Sequence, residues 1–257
     1  MERYSVIHDK FPREFVLLQG IGCRWGRCAF CDYHTDVSDN SFEINRKVLE
    51  QVTGQYGVLD IINSGSCFEL DDQTIALIQR IVGEKKIHTL WFEAHWMYRH
   101  RLEEFRLKIT DNRLQVTDLT PSPAGFPLKQ RENISAHNNT QLSVKFRCGI
   151  ETFDPDLRTK WNKGVPANVT AEDVAKYFQG VCLLCCTEGE TRERIVRDIQ
   201  LAEQYFEYFS VNVFCNNTTS IKRDTALVEW FIHDLYPTIK ENPHLEILLD
   251  NTDLGVG

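Results

Sequence analysis

The run Gly20-Ile-Gly-Cys-Arg-Trp-Gly-Arg-Cys-Ala-Phe-Cys-Asp-Tyr33 gathers Cys23, Cys28 and Cys31 into nine residues. Three thiolates are one short of a closed tetrahedral zinc site, and structural zinc sites pair one such knuckle with a second. The remaining C-x-x-C pair, Cys182 and Cys185, lies inside an apolar run. A disulfide framework is not expected, because the chain has an odd nine cysteines and its start, Met-Glu-Arg-Tyr, carries no signal-peptide pattern. Closely spaced thiolates on a glycine-containing loop suit an iron–sulfur cubane whose fourth iron is left open. Zinc and plain buried thiols are the alternatives.

Outward from this loop, short β-rich runs alternate with amphipathic ones. Strands are predicted at Glu14–Gln19, Val58–Ser64, His88–His95, Leu142–Glu151, Gly180–Thr187 and Phe209–Asn216. Each is followed by a predicted helix, at about 45–54, 71–86, 98–110, 154–163, 191–206 and 226–241. In the fifth helix Ile195, Ile199, Ala202 and Phe206 form one stripe, as a helix covering a sheet requires. The fourth has Asp154 as its N-cap, Pro155 in its first turn and Gly164 just past its end. Repeated β-then-α order implies a parallel sheet with right-handed crossovers. The expected fold is α/β, an open or partial (β/α)6 TIM-type barrel. It forms a single domain over 1–257, with its core at about 14–217 and a C-terminal extension at about 226–257. The Pro-rich then polar stretch at about 111–141 reads as a lid or an insertion. Leu245–Asp250 is expected to add a strand or to close the barrel's base.

Bulk properties narrow the function. The net charge is −8, whereas a protein that grips RNA or DNA usually carries a basic field. A small-molecule substrate is therefore expected, with nucleic acid disfavoured. No apolar run is long enough to span a bilayer, so no membrane role is expected, and nine cysteines without a secretory signal point to the reducing cytoplasm.

Side chains alternate along a strand, so each predicted strand offers two faces. Leu90, Phe92 and Ala94 oppose Trp91, Glu93 and His95. Val144, Phe146, Cys148 and Ile150 oppose Lys145, Arg147 and Glu151. Val211, Val213 and Cys215 oppose Ser210, Asn212 and Asn216. Polar residues at the C-terminal ends of barrel strands read as site residues. Alternatively, buried charges such as Arg147 and Glu151 simply pair with one another.

With these residues in place, the chain resembles the radical S-adenosylmethionine superfamily over most of its length. The cysteine loop follows the first strand, and an aromatic residue, Phe30, precedes the last cysteine. Asn63-Ser-Gly-Ser-Cys-Phe-Glu69 resembles the family's Gly-Gly-Glu-Pro segment, and Cys148-Gly-Ile-Glu-Thr152 its Gly-x-Glu-Ser segment. Thr187-Glu-Gly-Glu-Thr191 resembles the Pro-Gly-Glu-Thr turn. The spacing C-x4-C between Cys23 and Cys28 departs from the family's C-x3-C, with Gly26 available to absorb the extra residue.

The resemblance implies a [4Fe–4S] cluster held by Cys23, Cys28 and Cys31, with S-adenosylmethionine on the open iron. Electron transfer then yields a 5′-deoxyadenosyl radical that removes a hydrogen atom from the substrate. The backbone around Phe30 and Tyr33 would touch adenine, the Ser64, Gly65 and Ser66 backbone would hold the methionyl ammonium, and Glu151 would take ribose hydroxyls. A reducing partner such as flavodoxin or ferredoxin is implied. Phe92-Glu-Ala-His-Trp96 and Arg147-Cys-Gly-Ile-Glu-Thr-Phe-Asp154 are similar to bacterial queuine lyases, which break a carbon–nitrogen bond to release 7-aminomethyl-7-deazaguanine. On that likeness Glu93 would accept the amino and ring N–H groups of the deazaguanine, Asn212 and Asn216 would meet the cyclopentenediol, and His95 is a further substrate-binding candidate. A tRNA-modifying radical enzyme and a non-catalytic cysteine-rich metal-binding module are the competing readings.

Overall fold

The computed structural model describes residues 2–110 and 142–256; the expected lid or insertion lies outside the described residues. Eight strands form one sheet in sequential order: β1 (Tyr4–Ile7), β2 (Arg13–Leu18), β3 (Val58–Asn63), β4 (Thr89–Glu93), β5 (Ser143–Glu151), β6 (Gly180–Cys185), β7 (Tyr208–Val213) and β8 (Leu245–Leu248). β1 runs antiparallel to β2, and every later pair is parallel. The crossovers carry α1 (Ser41–Leu49), α2 (Asp72–Glu84), α3 (Leu102–Thr110), α4 (Pro155–Lys160), α5 (Ala171–Ala175), α6 (Arg192–Tyr205), α7 (Thr225–Trp230) and α8 (Tyr236–Ile239). The partial TIM-type barrel is thus present, widened by a strand at each edge. Leu245–Leu248 takes the first of its two predicted roles and extends the sheet beside β7. No helix among the described residues is long and apolar enough to cross a membrane.

The alternation reading holds along the strands. Leu90, Phe92, Val144, Phe146, Val211 and Val213 pack outward with Ile75, Ile78, Ile195 and Ile199 from the helices in one core. Each such side chain contributes about 1.5–3 kcal/mol of burial. The first helix departs from expectation, spanning 41–49 rather than 45–54. The Glu14 carboxylate captures the Thr53 and Gly54 amides at 2.6 and 2.7 Å, and Gly54 turns with φ +81°, so the chain leaves the helix early. Short α5 carries a Thr170–Asp173 capping box that the apolar pattern did not reveal.

The sheet does not close on itself. At the seam the C-terminal segment folds inward, Val256 packs on Phe15 and Leu17, and Ser5 Oγ donates to the Leu254 carbonyl. The bottom of the barrel is filled by charge. Asp60 accepts from Arg13 Nε at 2.9 Å and from Arg147 at 2.9 and 2.5 Å, and Arg13 also reaches Glu246 at 2.7 Å. Burial pushes the Asp60 carboxyl up, but the charges of Arg147 and Arg13 outweigh it and hold it below the usual range.

Two buried acids, Glu190 and Asp198, lie behind β6. Glu190 accepts from the Thr187 amide at 3.1 Å with one carboxylate oxygen, and its other oxygen has no partner. Burial pushes Glu190 up to about 8 and Asp198 up to about 6. The native state therefore keeps a proton on Glu190 that the unfolded chain has released from pH 4.5, its ordinary value, to about pH 8. Stability falls as pH rises through that window, by at most about 1.4 kcal/mol per pH unit. Urea unfolding at pH 6 and pH 8 should show the loss, and E190Q should flatten it. An unchanged slope in E190Q would assign the loss elsewhere.

Candidate active site

The three cysteines lie on the irregular segment between β2 and α1, at the C-terminal end of the parallel strands, where barrel folds place their chemistry. Backbone hydrogen bonds hold this loop in place. Ile21 N donates to the Glu69 carbonyl at 2.9 Å and Ala29 N to the Trp161 carbonyl at 2.9 Å. Arg24 N donates to Glu69 Oε1 at 3.0 Å, and Asn217 Nδ2 donates to the Phe30 carbonyl at 2.7 Å. Gly26 has φ +53°, a left-handed conformation open to glycine, and its amide points at Cys23 Sγ at 3.3 Å.

All three thiols are free and half-buried. Among the described residues no group of three or more His, Cys, Asp or Glu converges on a single-ion site. Burial pushes Cys28 up to about 11 and Cys31 up to about 12, so metal binding must displace their protons. The neighbouring turn forms a cradle. A Cβ on Gly65 would strike the Glu69 carboxylate and come within 3.1 Å of the Cys23 Cα. Only glycine lets the Ser64–Ser66 backbone approach the first cysteine so closely. Asn63, nine-tenths buried beside this turn, has a side-chain oxygen without a partner. Three thiols, a bare backbone edge and an orphaned acceptor fit a [4Fe–4S] cluster whose fourth iron carries an amino-acid-bearing cofactor.

Below the loop, a cavity of about 440 Å³ runs into the barrel. Cys31 and Tyr33 stand at its mouth, Glu93, Cys182 and Asn212 on its walls, and Arg147 in its floor. Glu93 is 3.9 Å from Arg147 Nε and 4.0 Å from the Cys182 thiol. Burial pushes its carboxyl above the usual range, and Arg147 opposes the rise only in part. Asn212 has a buried side-chain oxygen without a partner. Gly149 keeps the upper wall open, since a Cβ there would lie 2.9 Å from Glu151 Oε1, 3.0 Å from Glu93 Oε1 and 3.4 Å from Lys163 Nζ. A second cavity, about 320 Å³, opens at the opposite end by Lys10, Trp91 and Lys145, away from the cysteines.

The predicted site residues divide by position. Phe30, Tyr33, Glu93 and Asn212 line the cavity. Ser64 Oγ accepts from the Gly20 amide at 3.1 Å, and Ser66 Oγ accepts from the His95 amide at 2.8 Å, so both hydroxyls brace the loop. Glu151 stands at a bulge with φ +67° and pairs with Lys163 at 2.8 Å. Arg147 instead pairs with Asp60, so the alternative in which Arg147 and Glu151 pair with one another does not hold. Lys145 meets Glu207 at 2.8 Å at the other end of the barrel. His95 does not line the cavity: Nε2 donates to the Lys163 carbonyl at 2.8 Å, and the burial that lowers its pKa to about 4 keeps it neutral. Asn216 is exposed, with Oδ1 accepting from the Arg223 amide at 2.9 Å. In both places the strand has already ended, at Glu93 and at Val213, so alternation no longer sets the face. Nothing in the local pattern marks Lys163, Asn217 or the Asp250–Thr252 turn at the cavity rim, and Asn63 stands out there only as the first residue of the Asn63–Glu69 segment.

Comparison with solved structures gives a match over the whole chain. The queuine lyase from Clostridium spiroforme, solved bound to S-adenosylmethionine and queuine, is 37% identical with a TM-score of 0.84, covering 100% of this chain and 99% of that one. Streptococcus suis SuiB, at 14% identity and a TM-score of 0.51, covers 93% of this chain and 50% of its own. Methylornithine synthase, PylB, at 12% and 0.53, covers 91% and 63%. These last two share the fold alone. No protein-family model and no curated protein matches the chain.

Proposed function

The chain belongs to the queuine lyase family of radical S-adenosylmethionine enzymes, and on that premise we propose that it releases 7-aminomethyl-7-deazaguanine from queuine by carbon–nitrogen cleavage. The observation that carries the substrate is the cavity under the cysteine loop, walled by the under-paired Glu93 carboxylate and the orphaned Asn212 oxygen. Both groups ask for N–H or O–H donors, which a deazaguanine and a diol supply.

When bound, the cluster and S-adenosylmethionine supply the radical that takes a hydrogen atom from the substrate. Everything else falls to the chain's own residues. Cys23, Cys28 and Cys31 hold the cluster as thiolates. The Ser64–Ser66 backbone receives the methionyl group, with Asn63 Oδ1 as a nearby acceptor for its ammonium. Phe30 and Tyr33 flank adenine. Glu151, held by Lys163, accepts ribose hydroxyls. Glu93 accepts the amino and ring N–H groups of the base, and Asn212 meets the diol. The inturned C-terminal segment packs Val256 on Phe15 and Leu17 at the seam. The chain works as one domain, and a flavodoxin- or ferredoxin-type donor in the cytoplasm supplies the electron.

Anaerobic reconstitution should give brown protein with about four irons per chain. The reduced enzyme with queuine should yield 5′-deoxyadenosine and the aminomethyl base. Cofactor cleavage with no turnover of queuine would remove this substrate and leave the radical chemistry.

A further inference from the structure

The four residues between Cys23 and Cys28 include an aromatic side chain. Trp25 lies between Cys23 and Cys28, and its indole leaves the loop to cover the turn after α4. Its Nε1–H donates to the Asn162 carbonyl at 2.7 Å. Its ring stacks on His95, with centroids 5.7 Å apart and planes 16° from parallel. It also lies flat on Gly164, where a Cβ would be 2.5 Å from the ring, so the stack exists because that position is glycine. Arg27 covers the outer region of the indole, 5.6 Å from the ring centroid. A return bond, Asn162 Nδ2 to the Arg27 carbonyl at 3.1 Å, closes the contact.

The turn that Trp25 grips is built to be gripped. Asn162 and Gly164 have φ +52° and +73°, and these left-handed residues aim successive groups in different directions. The Asn162 carbonyl faces Trp25, the Lys163 carbonyl faces His95, and Lys163 Nζ reaches into the site to Glu151 at 2.8 Å. Lys163 Nζ also stands near Glu93 above Gly149. The cysteine loop and the charged wall of the cavity therefore share one support.

We propose that Trp25 is a positioning residue that latches the cluster-binding loop to the 162–164 turn and His95, so that the cluster loop keeps a fixed place relative to Glu93 and Glu151. The segment between Cys23 and Cys28 then carries the latch as well as spacing the two ligands. A substrate held out of register with the loop would let the radical be spent without product, so loosening the latch uncouples cofactor cleavage from base release.

Two readouts test this in the reconstituted holoenzyme. The first is the rate of iron loss to a chelator, measured anaerobically without substrate. The second is the ratio of 5′-deoxyadenosine formed to base released. An aromatic stack of this kind corresponds to about a three- to tenfold effect, so W25A should lose iron about that much faster and raise the ratio similarly. W25F keeps the stack while losing the Nε1–H bond, and should stay close to wild type in both. The ratio rests on the queuine reading, whereas iron loss needs no substrate, so failure of the substrate assignment leaves the first arm intact. Wild-type behaviour of W25A in iron loss, or a W25F variant as leaky as W25A, would overturn the latch.

Discussion

Replacing Asp60 by alanine should destabilise the protein by about 3–5 kcal/mol, the cost of leaving buried charge without its partner. Asp60 is the single carboxylate between two buried guanidiniums, bonded to Arg13 at 2.9 Å and to Arg147 at 2.9 and 2.5 Å. Without it, Arg13 keeps Glu246, but the nearest carboxylate left to Arg147 among the described residues is Glu93 at 3.9 Å, beside the Tyr208 ring. A domain holds a margin of only about 5–15 kcal/mol, so D60A lies near the edge of folding. Thermal melting should fall by roughly 10 °C. D60N, which keeps the shape and one acceptor, should lose less. Removing both charges, as D60L with R147M, should restore most of the stability, since an apolar replacement of a buried pair is often neutral. It should not restore activity, because Arg147 also braces Glu93. A D60A variant as stable as wild type would mean that this network is not what fills the barrel floor.

That network shows where sequence reasoning ends. The faces of β4 and β5 were legible because period-two alternation is a local property, and it placed Arg147 and Glu93 inward. Which inward charges meet is set by register between strands. Asp60 lies opposite Trp91 in the β3–β4 ladder, and Glu93 opposite Arg147 in the β4–β5 ladder. Neither pairing is written in the segments themselves, so Arg147 was matched to Glu151 on its own strand. The cysteine loop was legible because its ligands are neighbours in sequence. Lys163 and Asn217 were not, since each reaches the loop from a distant turn through a single contact whose geometry comes from the fold. His95 and Asn216 mark the opposite error, alternation carried past the last strand residue.

The largest effect on catalysis is expected at Glu93, tested as E93Q. Glutamine keeps the volume, so the cavity of about 440 Å³ is preserved. Because burial already raises the Glu93 carboxyl, removing its charge relieves desolvation, and the fold should not suffer. What changes is the donor–acceptor pattern. An ionised carboxylate accepts with both oxygens, while an amide turns one of them into a donor facing the base's own N–H groups. Each charge-assisted hydrogen bond is worth about 1.5–3 kcal/mol, so losing two lowers kcat/KM for queuine by about 10²–10⁴-fold. Cluster content and substrate-free cofactor cleavage should stay at wild-type levels, because the cysteines and the Gly65 cradle are untouched. The loss should fall mainly on KM, with 5′-deoxyadenosine still formed and little base released. A variant with an unchanged KM for queuine would take Glu93 out of substrate recognition. It would move the search to the other carboxylates around the cavity, Asp32, Asp36, Glu246 and Asp250, of which Asp32 already accepts from Thr218, Asp36 pairs with Arg3, and Glu246 is committed to Arg13 and Tyr208. Asp250, in the turn after β8, would then be the acceptor to remove next.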